Sequence, residues 1–171
     1  METLYYSVYA SPVGPLLLTC SDHGLVSIHF HSTKPPRGKN TIWVEDAGKT
    51  AACRQQLEEY FAGKRREFTL PLDLRGTEFQ LSCWNVLLEI PYGKTCTYAD
   101  IARRIRKPNA FRAVGMANHD NPIPIIVPCH RVIGADGSLT GYGGGLPLKE
   151  KLLELEGAAW REQKSLFSRA G

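Results

Sequence analysis

Residues 4–31 constrain the fold more than any other stretch of the chain. Three short β-rich runs, LYYSVYA, PLLLTCS and LVSIHFH, follow one another there, punctuated only by Gly14-Pro15 and Asp22-His23-Gly24. Such spacing predicts an antiparallel meander. Ser32 to Asn40, STKPPRGKN, is a loop by composition. Residues 46–63 predict a helix with Ala52, Leu57, Tyr60 and Phe61 to bury and Gly63 to end it. Lys64 to Gly76 reads as an extended link.

The pattern changes at Thr77. Phe79, Trp84, Leu87 and Leu88 recur at helical spacing up to Glu89, and Pro91-Tyr92-Gly93 stops the run. Thr97 with Asp100 is a capping-box pair, so a helix is predicted from Tyr98 with Ile101, Ala102 and Ile105 inward. After Arg106-Lys107-Pro108, Asn109 is positioned to cap a further helix, 110–119. Ala110, Ala113, Val114 and Ala117 form its small apolar face; Arg112, Gly115, Met116 and His119 lie on another. Two short helices joined by a tight basic turn fit a helix-turn-helix and equally a packing αα-hairpin. Gly115 costs about 1 kcal/mol relative to alanine inside a helix. Close approach of a nucleic acid and tight protein packing would both repay it.

IPIIVPCHRV, residues 123–132, carries the chemistry. Cys129 follows a β-branched run and a proline, as at the end of a buried strand, and directly precedes a histidine and an arginine. A thiol becomes nucleophilic as its thiolate, which nearby histidine or cationic groups favour. Downstream, Asp136-Gly137 is a hairpin-type turn. Gly141-Tyr142-Gly143-Gly144-Gly145 lacks the Lys-Ser/Thr of a phosphate loop; its backbone N–H groups suit the wall of a substrate pocket. KEKLLELEG, 149–157, is a final amphipathic helix.

Charge and cysteine usage narrow the class. The net charge of the 171 residues is +4, but 1–75 contributes only +1 whereas 94–131 contributes +5. Clustered basic charge fits a polyanion partner or a solvated helix face. The five cysteines, at 20, 53, 83, 96 and 129, include no C-x-x-C pair. With no secretory signal, a reducing, cytoplasmic location is expected. No stretch has the apolar length of a membrane span. Cys20, His23, His29 and His31 lack close paired spacing, so no metal is expected.

Several of these residues occur together in a known order. Tyr98-Ala99-Asp100-Ile101-Ala102, Arg112-Ala113-Val114-Gly115, Asn121-Pro122, Pro128-Cys129-His130-Arg131-Val132, Gly141-Tyr142-Gly143-Gly144 and Leu152-Leu153-Glu154-Leu155-Glu156 resemble the O6-alkylguanine-DNA alkyltransferases, small bacterial-type form. The motif-dense region is 76–157. The resemblance implies an α+β fold: a ribonuclease H-like N-terminal domain with an antiparallel sheet and a helix, 1–75 with its linker, and a mainly helical C-terminal domain, 76–171. The latter would hold the helix-turn-helix and a short strand bearing the cysteine.

The resemblance also implies a direct, irreversible transfer of an alkyl group from O6 of guanine to Cys129, once per molecule, with O4 of thymine open as a second target. His130 matches the base acting through a water, and Glu156 its orienter. Tyr98 matches a donor to the base and Asn121 a hinge. Val132, Tyr142, Gly143 and Gly144 match the guanine pocket. Arg112 matches the residue that fills the stack, and Ala110, Ala113, Gly115, Thr97 and Tyr98 the DNA-contacting surface in the minor groove. Implied as well are double-stranded DNA carrying alkylated bases as partner, no cofactor, no obligate protein partner, and a monomer that binds DNA with or without cooperativity. Phe111 is bulkier than the small residue many relatives carry, and is expected to pack inward beside Ile101 or Ile105. Two other classes compete: a non-catalytic binder of alkylated DNA, against which Cys129 argues directly, and a cysteine hydrolase, which leaves the helix-turn-helix without a purpose.

Overall fold

The computed structural model describes residues 1–160 and divides into two compact units. Unit 1 comprises Met1–Arg75 with Pro122–Pro124. Its strands β1 (Glu2–Ser11), β2 (Gly14–Cys20), β3 (Leu25–Phe30) and β4 (Thr41–Glu45) form a sheet in the order β3-β2-β1-β4. The first three strands are the predicted meander, with Gly14 at φ 97° turning β1 into β2. The sheet as a whole is mixed, because β4 runs parallel to β1. The loop 32–40 supplies the crossover that a parallel pairing needs. Leu16, Leu17 and Leu18 on β2 are fully buried, as expected of an interior strand covered on both faces.

Helix α1 (Ala51–Phe61) starts later than its apolar pattern predicts. Asp46 accepts from the N–H groups of Gly48 and Lys49, and this side-chain turn holds 46–49 out of the helix. Cys53, Leu57 and Tyr60 face inward; Ala52 is exposed. The far end of the link joins the sheet edge, where Leu25 N–H donates to Pro71 C=O and Asp73 N–H to Leu25 C=O. His31 lies beyond β3 with φ 53°, so it does not share a strand face with His29.

Unit 2 comprises Gly76–Asn121 and the chain from Ile125 onward. Its helices are α2 (Glu78–Leu87), α3 (Tyr98–Arg104), α4 (Phe111–His119) and α5 (Leu146–Leu155). Two-residue strands β5 (Cys96–Thr97) and β6 (Val132–Ile133) pair in parallel, Cys96 with Val132 and Thr97 with Ile133. Thr97 caps α3 in the predicted capping box with Asp100. Helix α5 begins three residues earlier than its charged pattern suggests, with Pro147 in its first turn.

The turn between α3 and α4 is a Schellman motif. Lys107 N–H donates to Ala102 C=O and Arg106 N–H to Arg103 C=O, with Arg106 at φ 62°. A side chain in the left-handed region costs about 1–2 kcal/mol that glycine avoids. Arg106→Gly is therefore expected to raise stability by about 1 kcal/mol in urea unfolding once the added freedom of the unfolded glycine is subtracted. No gain would show that the Arg106 side chain offsets its own strain.

Helix α4 departs from its sequence pattern. Its N-cap is Ala110, and no side chain caps it, so Asn109 lacks the predicted role. The inward residues are Val114, Ala117 and Asn118, whereas Ala113 is exposed. Trp84 fixes this rotation by donating its indole N–H to Ala117 C=O at 2.8 Å. Phe111 is 48% exposed and Met116 61%, so Phe111 does not pack inward as expected. The outer face thus carries Phe111, Arg112, Met116 and His119.

Candidate active site

The segment before Cys129 is not a strand. Ile125 has φ 74°, a left-handed conformation that breaks an extended run and is an outlier for a β-branched residue. Asn121 Nδ2 donates to Val127 C=O at 2.8 Å. Pro128, at φ −83° and ψ 65°, then closes an inverse γ-turn in which Cys129 N–H donates to Val127 C=O at 2.8 Å. Cys129–Arg131 form a single 3-10 turn that leads into β6. The cysteine therefore sits on this turn, directly before the short strand. The bend frees Cys129 and His130 from the opposite-face alternation of a strand.

His130 is fully buried, and its Nε2 lies 2.6 Å from Glu156 Oε2. Glu156, at the end of α5, also accepts from Arg131 Nε at 2.7 Å, Arg131 Nη2 at 3.1 Å and Gly93 N–H at 3.4 Å. Arg131 Nη1 donates to Ile90 C=O at 2.6 Å. Burial alone would raise the Glu156 carboxyl; the His130 hydrogen bond and the Arg131 guanidinium overcome it and hold the group well below the usual carboxylate range. Burial pushes the His130 imidazole down, more strongly than the Glu156 carboxylate pulls it up. The imidazole is thus neutral beside a carboxylate. A carboxylate only accepts, so the single ring proton sits on Nε2 and Nδ1 carries a lone pair. That Nδ1 is buried with no partner among the described residues.

Cys129 is 7% exposed. Burial raises its thiol, against the opposing pull of the Asn121 amide and the Lys149 ammonium. At rest it is therefore a protonated thiol, where adjacent basic residues in the sequence suggested a thiolate. A base must act at the moment of reaction. Lys149 is itself buried, which lowers its ammonium to about 8. Its Nζ donates to Val132 C=O at 2.6 Å and Thr140 C=O at 2.8 Å, tying the turn region to the glycine-rich loop.

Tyr98 opens α3 next to the β5–β6 pair, and its hydroxyl lies 2.7 Å from Thr140 Oγ1. Together with Phe111, Gly115, Met116, His119, Thr140 and Gly141 it lines an apolar hollow of about 400 Å³. Tyr142 and Gly144 are half-buried, and Gly143 is exposed. A Cβ at Gly143 would meet nothing within 4 Å. Arg112 and Ala113 are exposed on α4, and Ala110 is its N-cap. Thr97 is engaged as the cap of α3.

His130 and Glu156 thus meet across the sequence, and Cys129 shares the 3-10 turn of His130. Arg131, Gly93, Lys149 and Thr140 join them without having been singled out by the sequence. For Gly93 the signal was its place after Pro91-Tyr92: φ is 76°, and a Cβ there would lie 3.0 Å from Glu156 C=O. Arg131 had been counted with the basic stretch, but its charge is internal to the site.

The site thus carries a buried, protonated thiol on the same 3-10 turn as a neutral imidazole locked by a buried carboxylate. The profile of the 6-O-methylguanine DNA methyltransferase DNA binding domain matches residues 78–158, and that of the ribonuclease-like domain of the same proteins matches 4–74. The chain belongs to the 6-O-methylguanine DNA methyltransferase family. It is 52% identical over 155 residues to the methylated-DNA–protein-cysteine methyltransferase of Methanosarcina acetivorans, covering 91% of this chain and 99% of that one. Identity to the Mycobacterium tuberculosis protein of the same name is 48% over 165 residues, covering 96% and 99%. The crystal structure of M. tuberculosis OGT in complex with DNA superimposes with a TM-score of 0.83, covering 93% of this chain and 98% of that chain.

Proposed function

We propose that this protein repairs alkylated DNA by moving the alkyl group from O6 of guanine to the Cys129 sulfur, irreversibly and once per molecule. The observation that carries this reading is the His130–Glu156 lock, which leaves the Nδ1 lone pair to act as a base for the thiol of the preceding residue, Cys129. The Cys129 thiol proton passes through a water to Nδ1. The sulfur electron pair forms the S–C bond as the C–O6 bond breaks, and the departing pair stays on guanine, toward which the Tyr98 hydroxyl donates. A neutral phenol is needed for that donation, and burial raises the Tyr98 phenol, keeping its proton in place. This is nucleophile, base and orienter in sequence.

The remaining roles are those that the family resemblance implies. Gly143 N–H serves O6, and the carbonyls of Cys129 and Val132 accept from the guanine amino group. Val132 C=O already receives Lys149 but has a second lone pair. Tyr142 and Gly144 wall the pocket, and Asn121 hinges the turn against α4. The target oxygen lies in the base stack, so the nucleotide is extruded before reaction. Arg112 fills the space, while Thr97, Ala110, Ala113 and Gly115 bring backbone and small side chains to the minor groove. Phe111 and Met116 suit the apolar groove walls. Residues 76–171 act as the DNA-binding and acceptor domain, and double-stranded DNA is bound with little sequence preference and marked salt dependence.

The test is intact mass after incubation with duplex DNA carrying one O6-methylguanine. One methyl per protein is expected, absent in Cys129→Ser. Binding to the lesion without mass gain would instead identify a non-catalytic sensor.

A further inference from the structure

In the hollow beside α4 the Tyr98 hydroxyl meets Thr140 Oγ1 at 2.7 Å. Thr140 is held from two sides. Its carbonyl accepts from the buried Lys149 Nζ at 2.8 Å, and its side chain meets the phenol. The first contact fixes the backbone of the loop through a buried ammonium that also grips Val132 C=O. The loop therefore presents the Thr140 hydroxyl at a set distance from Tyr98.

The inventory of donors decides what this contact can do. A phenol has one proton, and a threonine hydroxyl has one proton and two lone pairs. If Tyr98 donates to Thr140, its proton is spent and cannot reach a base. If Thr140 donates to the phenol oxygen, the Tyr98 proton points away, and the incoming hydrogen bond polarises the O–H it leaves free. Both arrangements fit the resting protein; a base arriving in the pocket selects the second. Valine at 140 fills the same space but offers no proton, and serine offers it without the methyl group.

We propose that Thr140 is a positioning residue for alkyl transfer: its hydroxyl donates to the Tyr98 oxygen and directs the Tyr98 proton at the guanine leaving group. The inference rests on the reading of Tyr98 as the donor. Thr140 touches neither the sulfur nor the departing oxygen, so its effect passes through Tyr98 alone. The bond is exposed in the free protein and becomes desolvated beneath bound DNA, where loss of its donor matters most. Burial raises the Tyr98 phenol and the Thr140 bond works against it, in keeping with a contact that makes the phenol a better donor.

The experiment is single-turnover methyl transfer from O6-methylguanine duplex, with the limiting rate and the half-saturating protein concentration determined separately. Thr140→Val is expected to slow the limiting rate about 3- to 10-fold, the worth of one ordinary hydrogen bond, with the half-saturating concentration within about twofold. Thr140→Ser restores the rate. In a Tyr98→Phe background, Thr140→Val has no further effect, since the group it positions is gone. An unchanged rate in Thr140→Val, with Tyr98→Phe slow, overturns this inference alone. A rate unchanged by Tyr98→Phe overturns the reading of Tyr98 on which it rests. Equal slowing by Thr140→Val with and without Tyr98 also overturns it, pointing to a general effect on the loop. Thermal unfolding of each variant confirms that the comparison is made on folded protein.

Discussion

Glu156→Ala is expected to destabilise the protein by about 3–5 kcal/mol, the usual consequence of removing one partner from a buried ion pair. Glu156 is 5% exposed and receives four N–H donors from three residues. Without it the Arg131 guanidinium keeps, among the described residues, the Ile90 C=O and the Tyr92 ring. The ordinary surface ion pairs of the molecule, such as Arg54–Glu58, are solvated at both ends and contribute well under 1 kcal/mol each. In a domain of this size the loss corresponds to a fall in Tm of roughly 10 °C. Transfer should slow by about 10²–10⁴-fold as well, because the imidazole loses the acceptor that fixes its proton on Nε2. Urea unfolding followed by tryptophan fluorescence gives the first quantity, and single-turnover transfer at a temperature where the variant is folded gives the second. A loss below about 1 kcal/mol would mean that water reaches Arg131 and replaces the carboxylate.

The second large effect is acid sensitivity. His130 is held neutral by burial, below its unfolded value of 6.5. As pH falls through 6.5 the unfolded chain takes up a proton that the folded chain refuses. Each such proton lowers stability by about 1.4 kcal/mol per pH unit, down to the depressed folded value. Glu156 acts in the same direction. Its folded value lies below the unfolded 4.5, so the stability it provides is complete above 4.5 and declines as pH drops further. Below pH 6.5 the histidine alone is expected to remove stability progressively until its depressed folded value is reached. His130→Gln should flatten the profile in that window while leaving the steeper fall below pH 4.5. An unchanged slope in the variant would show that the folded imidazole is protonated. Transfer should fall only further down, as pH passes the depressed folded value of His130, since a protonated Nδ1 cannot accept the thiol proton.

Much of this site was legible because its chemistry is local. Cys129, His130 and Arg131 are consecutive, and Thr97 and Asp100 form a cap that any capping-box search finds. The three-stranded meander was legible for the same reason. Features that depend on distant partners were not. Strand β4 has only five residues and gains its identity from pairing with β1. Lys149 reads as one more charge on an amphipathic helix, and only the carbonyls of Val132 and Thr140 explain its burial. The rotation of α4 is fixed by the Trp84 indole, so Ala113 and Val114 could not be sorted by small-residue spacing alone. The strand predicted into Cys129 failed at Ile125, where the left-handed backbone contradicts a β-branched propensity that tertiary context overrides.

The placement of Pro122–Pro124 changes what counts as a separable piece of this molecule. These residues cluster with Met1–Arg75, and Pro122 C=O is the acceptor for Ile28 N–H on β3. The polypeptide therefore enters the first unit twice, and the second visit lies between Asn121 and the turn that carries the cysteine. A fragment beginning at Gly76 would be missing the unit with which three of its own residues cluster. Dissection at a single cut, natural or engineered, severs a connection that primary structure does not display. Tolerance to insertion should accordingly be low at 122–124 and higher in the loop 32–40.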